Sequence, residues 1–278
     1  MKDPYIQENG TLKNKLGISD YDTLNLAEKD ITFSKFLDIE KAFGSKFDIE
    51  YLKKINKYIF DDIFDWAGSF RTVPIYKEEI VIPRLSLNYA EPKNIVKELT
   101  KCLNKINSIK WETLSLDEKA KVFTECLSEL WLIHPFRDGN TRTVLTFAKQ
   151  FSKEHDFPMD LGGLLDNLSR KHDENGKTTQ FSIRDKFVLA CIPKEFSPEP
   201  EHLTALIHKA IVDGTSKKIE DLSKNLSSDI GEERWENWTV RNSHFEPSLF
   251  SFFNLPHLFL YHERDLFSPI LYLLQINI

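Results

Sequence analysis

Ten consecutive residues, 134–143, constrain this chain most, because they read His-Pro-Phe-Arg-Asp-Gly-Asn-Thr-Arg-Thr between two helical patterns. Ser115-Leu-Asp-Glu118 has the form of a capping box at the start of the first predicted helix. Apolar residues recur on both sides at intervals of three and four: Ala120, Phe123, Leu127, Leu130 and Ile133, then Val144, Phe147, Ala148 and Phe151. The segment is therefore predicted to be a helix–loop–helix turn.

The residues of this loop have the chemistry needed to act on a phosphate. Gly139–Thr141 falls at the start of the second helix, where unpaired backbone N–H groups favour anions. Arg142 adds a forked cation for phosphate oxygens. Asp138 suits Mg²⁺, which proteins usually hold through one or two carboxylates plus substrate phosphates. His134 is a candidate general base, so the loop predicts phosphoryl or nucleotidyl transfer.

Each of these residues also has an ordinary structural interpretation. A histidine that follows a helix is more often a surface or capping residue than a catalyst. Asp-Gly is a common turn dipeptide. Arg142 is different, because a cation in the first turn of a helix is misplaced unless it meets an anion. The four residue types together therefore favour the functional interpretation.

Residues 134–142 resemble the signature of the Fic (filamentation induced by cAMP) family, in which His-x-Phe-x-[Asp/Glu]-Gly-Asn-Gly-Arg-x-x-Arg is usual. Residues 52–77, which include Phe60, Trp66-Ala-Gly68 and Arg71, resemble the Fic segment that leads from a helix into the target-docking flap. The resemblance extends over residues 10–190 and is specific at these two places.

The resemblance implies an all-α, mainly helical Fic fold with one small β-hairpin as the flap. It also implies a protein adenylyltransferase (AMPylator), which transfers AMP from Mg²⁺-bound ATP to a Ser, Thr or Tyr hydroxyl of a target protein. The implied base is His134 and the implied metal ligand is Asp138. The remaining implied site residues are Gly139, Asn140, Thr141, Arg142, Tyr76 and Lys77 for the nucleotide, and Thr72, Val73, Ile75 and Ile80 for docking the target on the flap.

Three positions depart from the family pattern. Thr141 replaces a glycine, and Leu145 replaces the second arginine, which in the family reaches the γ-phosphate and meets an inhibitory glutamate. Asn56 stands where the helix before the flap often carries histidine, and is interpreted as a polar residue on the helix surface. These departures leave two alternatives open: a related phosphoryl- or UMP-transferase, or a catalytically degenerate Fic binding module.

Inhibition in the family commonly uses a helix with the pattern [Ser/Thr]-x-x-x-Glu-[Gly/Asn]. No match precedes the loop, and Ser228 to Glu233 fits only the first five positions. Such a loose pattern arises easily by chance. A separate, small antitoxin-like partner is the favoured expectation, with this chain as the toxin of a toxin–antitoxin pair.

Composition favours a cytoplasmic enzyme. The net charge of −6 gives no basic footprint for direct nucleic-acid binding. No apolar stretch reaches the roughly 18 residues of a membrane span, and the first residues contain no apolar signal-peptide core. The three cysteines have no metal-binding spacing and are interpreted as reduced thiols.

Periodicity predicts helices over residues 22–44, 48–65 and 93–107, a hairpin over 72–82, and a helix that opens at Pro200 and closes at Gly214. Pro74 limits the first arm of the hairpin to an edge strand. The predicted organisation is an N-terminal lead-in over 1–20, a Fic domain with C-terminal helices over 21–225, and a poorly ordered, aromatic-rich tail over 226–278.

Overall fold

The computed structural model describes residues 3–37, 39, 46–77, 79, 81, 82, 86–165, 169–192 and 201–229. These residues are mainly helical, and the two strands among them pair antiparallel in one small hairpin, so the predicted fold class is confirmed. The elements are α1 Tyr21–Leu37, α2 Ile49–Phe60, α3 Ile95–Ser108, α4 Leu116–Ile133, α5 Asn140–Glu154, α6 Gly162–Leu165, β1 Lys171–His172, β2 Thr178–Gln180, α7 Ile183–Ala190 and α8 Glu201–Asp229.

The chain divides into two compact units, Met1–Gly214 and Thr215–Ile278. Of the second unit, the structure describes only the part of α8 that ends at Asp229. Most of the predicted aromatic tail, together with Glu232 and Glu233 of the loose glutamate pattern, lies outside the described residues.

The predicted capping box sets the start of α4. The Ser115 hydroxyl accepts a hydrogen bond from the Glu118 backbone N–H at 3.3 Å, and the Glu118 carboxylate accepts one from the Ser115 N–H at 2.9 Å. Caps of this kind stabilise a helix by about 1 kcal/mol. Because the first residue of α4 is fixed, its last turn delivers His134 to a defined place.

A cluster of buried aromatic rings fixes α4 and α5 to each other. Trp111 packs against Phe123 and Phe151 at centroid distances of 5.5 and 5.7 Å, and Phe123 packs on Phe151 at 5.6 Å. Fully burying a side chain of this size stabilises the fold by about 1.5–3 kcal/mol. The loop between the two helices is therefore held at both ends by a rigid core.

The described residues contain one small hairpin, as predicted, but at residues 171–180 and not at the predicted residues 72–82. Described residues 72–77 contain no strand, and Glu78 and Ile80 lie outside the described residues. The observed hairpin joins Lys171 to Gln180 across a turn in which the Asp173 side chain accepts the backbone N–H of Asn175 and Lys177. Strand-like composition without a pairing partner does not make a strand, whereas Asn-Gly at 175–176 was an available hairpin signal.

The prediction that a helix ends at Gly214 is also wrong, because α8 continues to Asp229. A Cβ built on Gly214 would overlap the backbone carbonyl of Pro158. The glycine therefore permits a close approach between α8 and the chain that follows α5, and does not act as a stop signal.

Candidate active site

His134 is the residue that terminates α4, and its side chain is almost fully buried, with 2% exposed. Its backbone is left-handed, with φ of 51° and ψ of 58°, a conformation that costs a non-glycine residue about 1–2 kcal/mol. Two contacts hold it there. The Arg71 Nε donates to the His134 carbonyl at 2.8 Å, and the Tyr89 ring packs on the imidazole at a centroid distance of 4.2 Å.

The hydrogen bonds of the imidazole determine which nitrogen is basic. Nδ1 lies 3.2 Å from the carbonyl oxygen of Trp131, which can only accept, so Nδ1 carries the proton and Nε2 carries the lone pair. Burial, and then the positive charge of Lys77, lower the pKa of His134 well below its usual value. The imidazole is therefore neutral at physiological pH and suited to accept a proton.

The loop after His134 passes directly over Phe60 of α2. Gly139 has φ of 77°, and a Cβ built on it would overlap the Phe60 ring. A side chain is therefore excluded on two grounds, the left-handed backbone and the lack of space. Gly139 precedes the first residue of α5, so this contact sets the position of the helix start relative to α2.

Asn140 closes the loop with its own side chain. Its Oδ1 accepts a hydrogen bond from the Phe136 N–H at 3.0 Å, and its Nδ2 donates to the Phe136 carbonyl at 2.9 Å. Both polar groups of the amide are therefore engaged within the loop. The second N–H of the amide and the backbone N–H of Asn140 take no part in this closure.

The first turn of α5 presents backbone donors. The first intrahelical bond runs from Thr143 N to Gly139 O at 3.0 Å, which leaves the N–H groups of Asn140, Thr141 and Arg142 without a helical acceptor. The Thr141 hydroxyl accepts from the Trp131 indole at 2.9 Å, so this departure from the family pattern ties the loop to α4. The start of α5 has the geometry of an anion site.

Arg142 is held by α1. Its guanidinium donates to the Thr32 hydroxyl at 2.6 Å and forms an ion pair with the Glu28 carboxylate. Its Cζ also lies 4.6 Å from the Phe60 ring centroid. The sequence motif predicts Arg142 as a site residue but gives no sign of Glu28, because the two residues are far apart in the chain.

Asp138 of the loop lies close enough to Lys77 for their opposite charges to interact. The Asp138 side chain is half-buried, and its Oδ1 accepts the Gly139 N–H at 2.6 Å. Burial lowers the pKa of Lys77, and the negative charge of Asp138 offsets only part of this shift. The pKa of Glu28 is raised by burial and by the charge of Asp138, and the charge of Arg142 offsets only part of this rise. The structure thus places Lys77 where its charge acts on both Asp138 and His134, and places Glu28 where it interacts with Asp138 and Arg142.

The described part of the predicted flap, residues 72–77, contains no helix or strand and follows directly on Arg71. The Thr72 N–H donates to the Tyr5 hydroxyl at 3.2 Å, and the Val73 carbonyl accepts from Arg71 at 2.9 Å. Ile75 is half-buried against the core, whereas Tyr76 is 77% exposed. The predicted docking residue Ile80 lies outside the described residues.

Arg71 was not singled out as a functional residue, yet it organises this region. Its guanidinium donates to the carbonyls of His134, Val73 and Ala90, and its backbone N–H donates to Pro135 O at 2.9 Å. One buried cation therefore fixes the start of the flap against the base of the loop. Three carbonyls converging on one arginine are not visible in a linear sequence.

The interpretation of Asn56 as a polar residue on the helix surface is wrong. It is fully buried, and its amide donates to Thr143 Oγ1 at 3.1 Å while accepting from Gly68 N at 2.8 Å. Asn56 thus joins α2 to α5 and to the turn before the flap. A polar residue inside an otherwise apolar helical stripe was the available signal.

Leu145 is fully buried in the hydrophobic core. This side chain therefore contributes to packing and has no charged group to offer a phosphate. Of the two cations predicted for the nucleotide, Lys77 lies close enough to Asp138 for their charges to interact, and Arg142 lies in the first turn of α5.

Residues 46–152 match the model of the Fic/DOC family. The matched range contains α2, the predicted flap segment, α3, α4, the loop and nearly all of α5. No helix among the described residues is long and apolar enough to cross a membrane.

Two relatives and one solved structure resemble the chain over longer ranges. It is 25% identical over 230 residues to protein adenylyltransferase VbhT of Bartonella schoenbuchensis, which covers 82% of this chain and 43% of VbhT. It is 24% identical over 180 residues to the probable protein adenylyltransferase Fic of Escherichia coli, covering 63% of this chain and 84% of that protein. The chain thus spans less than half of VbhT.

The structure of BepC from Bartonella tribocorum, with bound AMPPNP, has a TM-score of 0.56 to this chain at 20% identity. The likeness covers 74% of this chain and 95% of BepC. At this level of identity it shows a shared fold.

Proposed function

Because the chain contains a Fic/DOC domain at residues 46–152, we propose that it is a protein adenylyltransferase, which transfers AMP from Mg²⁺-bound ATP to a Ser, Thr or Tyr hydroxyl of a target protein. The observation that carries this proposal is the convergence of a neutral, buried His134 with Arg142 and the start of α5 in one closed loop. The names of the two relatives support AMP as the group transferred.

In this mechanism His134 Nε2 takes the proton of the target hydroxyl as its oxygen attacks the α-phosphorus of ATP. A bond forms between that oxygen and the α-phosphorus, and the bond from the α-phosphorus to the bridging oxygen breaks, so pyrophosphate leaves. The N–H groups of Asn140, Thr141 and Arg142, with the Arg142 guanidinium, stabilise the charge on the phosphate oxygens.

Asp138 is the residue that would hold Mg²⁺. Its carboxylate is half-buried beside the start of α5, and Gly139 engages only its Oδ1. A single carboxylate fits this ion, because Mg²⁺ typically takes its other ligands from water and substrate phosphates. When bound, the ion would supply positive charge at the phosphates and orient them.

The target would dock along residues 75–77 of the predicted flap. Residues 75–77 make no backbone hydrogen bond to the other described residues. An extended target segment can add there as a strand, with main-chain bonds setting its register. Lys77 and the exposed Tyr76 then stand between the docked segment and the nucleotide.

A separate inhibitory partner and a cytoplasmic location complete the proposal. Leu145 leaves no guanidinium at the position where the family meets an inhibitory glutamate, which favours control by another device such as an antitoxin-like protein. The described cysteines are free thiols, and burial raises the pKa of Cys102 to about 12, so it is not a nucleophile. Free thiols and the use of ATP both fit a reducing, ATP-rich compartment such as the cytoplasm.

Labelled ATP distinguishes the possible reactions. Incubation with a lysate and α-labelled or γ-labelled ATP should label target proteins from the α label only. Transfer from the γ label would instead identify a kinase-like phosphoryl transfer. An AMP transferase should also prefer ATP to UTP, whereas the alternative uridylyl transfer would reverse that preference.

Three variants test the assigned roles. His134→Ala should abolish transfer, a loss of about 10²–10⁴ in rate, and leave Mg·ATP binding intact, whereas His172→Ala on the exposed hairpin should leave transfer unchanged.

Asp138→Ala should lose the Mg²⁺ dependence of ATP binding, and Arg142→Ala should weaken that binding. Wild-type affinity in both would show that the loop is not the nucleotide site, and absence of ATP binding by the wild type would identify a degenerate module.

A further inference from the structure

The ion pair between α1 and α5 points to a role for a residue outside the loop. Glu28 lies on α1 and is 7% exposed, and its carboxylate meets Arg142 where α5 begins. A buried carboxylate is costly unless it is paired, and a guanidinium is the partner that offsets this cost most directly. Arg142 therefore has a fixed counter-ion before any phosphate arrives.

Thr32 provides a second point of attachment one helical turn further along α1. Its hydroxyl accepts from Arg142 at 2.6 Å while donating its own proton to the Glu28 carbonyl at 2.7 Å. The hydroxyl thus uses its donor on the helix and its acceptor on the guanidinium, so its orientation is determined. Thr32 is 2% exposed, which removes competition from water.

The ring of Phe60 restricts the guanidinium on one side. The Arg142 Cζ lies 4.6 Å from the ring centroid, and the same ring fills the space beneath Gly139. Arg142 is therefore fixed in three ways, by a charge, by a hydroxyl and by an aromatic face. A free arginine side chain would lose rotamer freedom on binding an anion, and this side chain is already ordered.

Two of the five guanidinium N–H groups are committed to α1, which leaves the others for a ligand. Because the Arg142 side chain is 24% exposed, it remains reachable from the start of α5. We propose that Glu28 is a positioning residue, which with Thr32 holds the Arg142 guanidinium in the orientation that binds the phosphates of the nucleotide. This inference rests on the proposed function, since it takes Arg142 as the phosphate contact.

Calorimetry with Mg·ATP and with adenosine separates positioning from general stability. Glu28→Ala should weaken Mg·ATP binding by about 10–100-fold, by analogy with the loss of affinity when the hydrogen-bonding partner of a metal ligand is removed, and leave adenosine binding unchanged. Glu28→Gln should retain most of the affinity, because its amide oxygen still accepts from Arg142. Thr32→Val should produce a smaller loss in the same direction, and serves where Glu28→Ala does not fold.

A double-mutant cycle tests whether Glu28 acts through Arg142. In the Arg142→Ala background, Glu28→Ala should cause no further loss of Mg·ATP affinity. Lys35→Ala is the matched control, because it breaks a different α1 ion pair, to Asp62 at 2.5 Å, and should leave ATP binding unchanged.

The possible failures are distinguishable. Absence of Mg·ATP binding by the wild type would overturn the proposed function, and this inference with it. Wild-type binding combined with unchanged or tighter ATP binding in Glu28→Ala would overturn this inference alone. Equal losses for ATP and adenosine, or a loss that persists without Arg142, would do the same and assign Glu28 a purely structural role.

Discussion

The Tyr89 ring lies against the imidazole of His134, with the ring centroids 4.2 Å apart and the planes inclined by 34°. The Tyr89 hydroxyl donates to the Glu79 carboxylate at 2.9 Å, and Arg184 of α7 donates to both oxygens of the same carboxylate. The imidazole is therefore packed against a ring that is itself held by the ion pair of Glu79 and Arg184.

Tyr89→Leu should slow transfer without weakening Mg·ATP binding, because it removes the packing that orients His134. Aromatic pairs contribute about 0.5–1.5 kcal/mol, which corresponds to roughly a two- to tenfold lower kcat. Tyr89→Phe keeps the ring and should lose less. Equal kcat in Tyr89→Leu and wild type would show that the imidazole needs no such support.

The pH dependence of transfer should reflect the buried state of His134. Its pKa is lowered below the usual 6.5 by burial and by the charge of Lys77, so the base stays deprotonated and transfer persists as the pH falls through 6.5. Lys77→Met removes the second cause and should move the acid limb to higher pH. The exposed Lys93→Met should leave the limb in place, and a limb that does not move in Lys77→Met would contradict this electrostatic account.

The same pKa shift predicts a loss of stability in acid. Unfolded chains bind a proton at His134 near pH 6.5 while the folded chain does not, so the free energy of unfolding should fall as the pH drops below that value. Asn tolerates the left-handed backbone, so His134→Asn should reduce this fall. Urea unfolding at pH 7.5 and 5.5 measures it, and an identical fall in both proteins would place the effect in other groups.

Gly139→Ala should destabilise the fold more than a matched glycine substitution. Gly176 has nearly the same backbone, with φ of 75°, but open space around it, so Gly176→Ala should cost only the roughly 1–2 kcal/mol of a left-handed alanine. Gly139→Ala adds the overlap with Phe60, about 1–3 kcal/mol more. Equal losses in urea unfolding would show that Phe60 moves aside freely.

Leu145→Arg should destabilise the protein and not restore a phosphate contact. Leu145 is fully buried, and an uncompensated charge in such a place costs about 3–5 kcal/mol. Leu145→Met, which conserves volume, should cost less than about 1.5 kcal/mol. Thermal melts compare the two. A stable Leu145→Arg protein with tighter ATP binding would mean that the guanidinium reaches the site.

Local signals predicted the parts of the site that are contiguous in sequence. The capping box at Ser115 predicted the start of α4, and the structure places His134, Asp138 and the start of α5 in the one loop between two helices that the sequence predicted. These predictions of helix and loop succeeded because helix periodicity and caps act over a few residues.

Contacts between distant segments could not be predicted in the same way. Glu28 meets Arg142, and Arg71 meets the His134 carbonyl, across intervals that carry no periodic signal. Asn56 was misinterpreted because its polarity suggested the surface, whereas its amide is satisfied by buried partners. The hairpin was misplaced because strand composition at 72–82 outweighed the turn signal at 175–176.

The pair of hydrogen bonds between the Asn140 side chain and the Phe136 backbone has a thermodynamic consequence. A loop closed by its own residues is already preorganised, so little configurational entropy remains to be lost when an anion arrives. The binding heat of a nucleotide should then reflect new contacts rather than folding of the loop. A phosphate bound at such a loop would meet a rigid template.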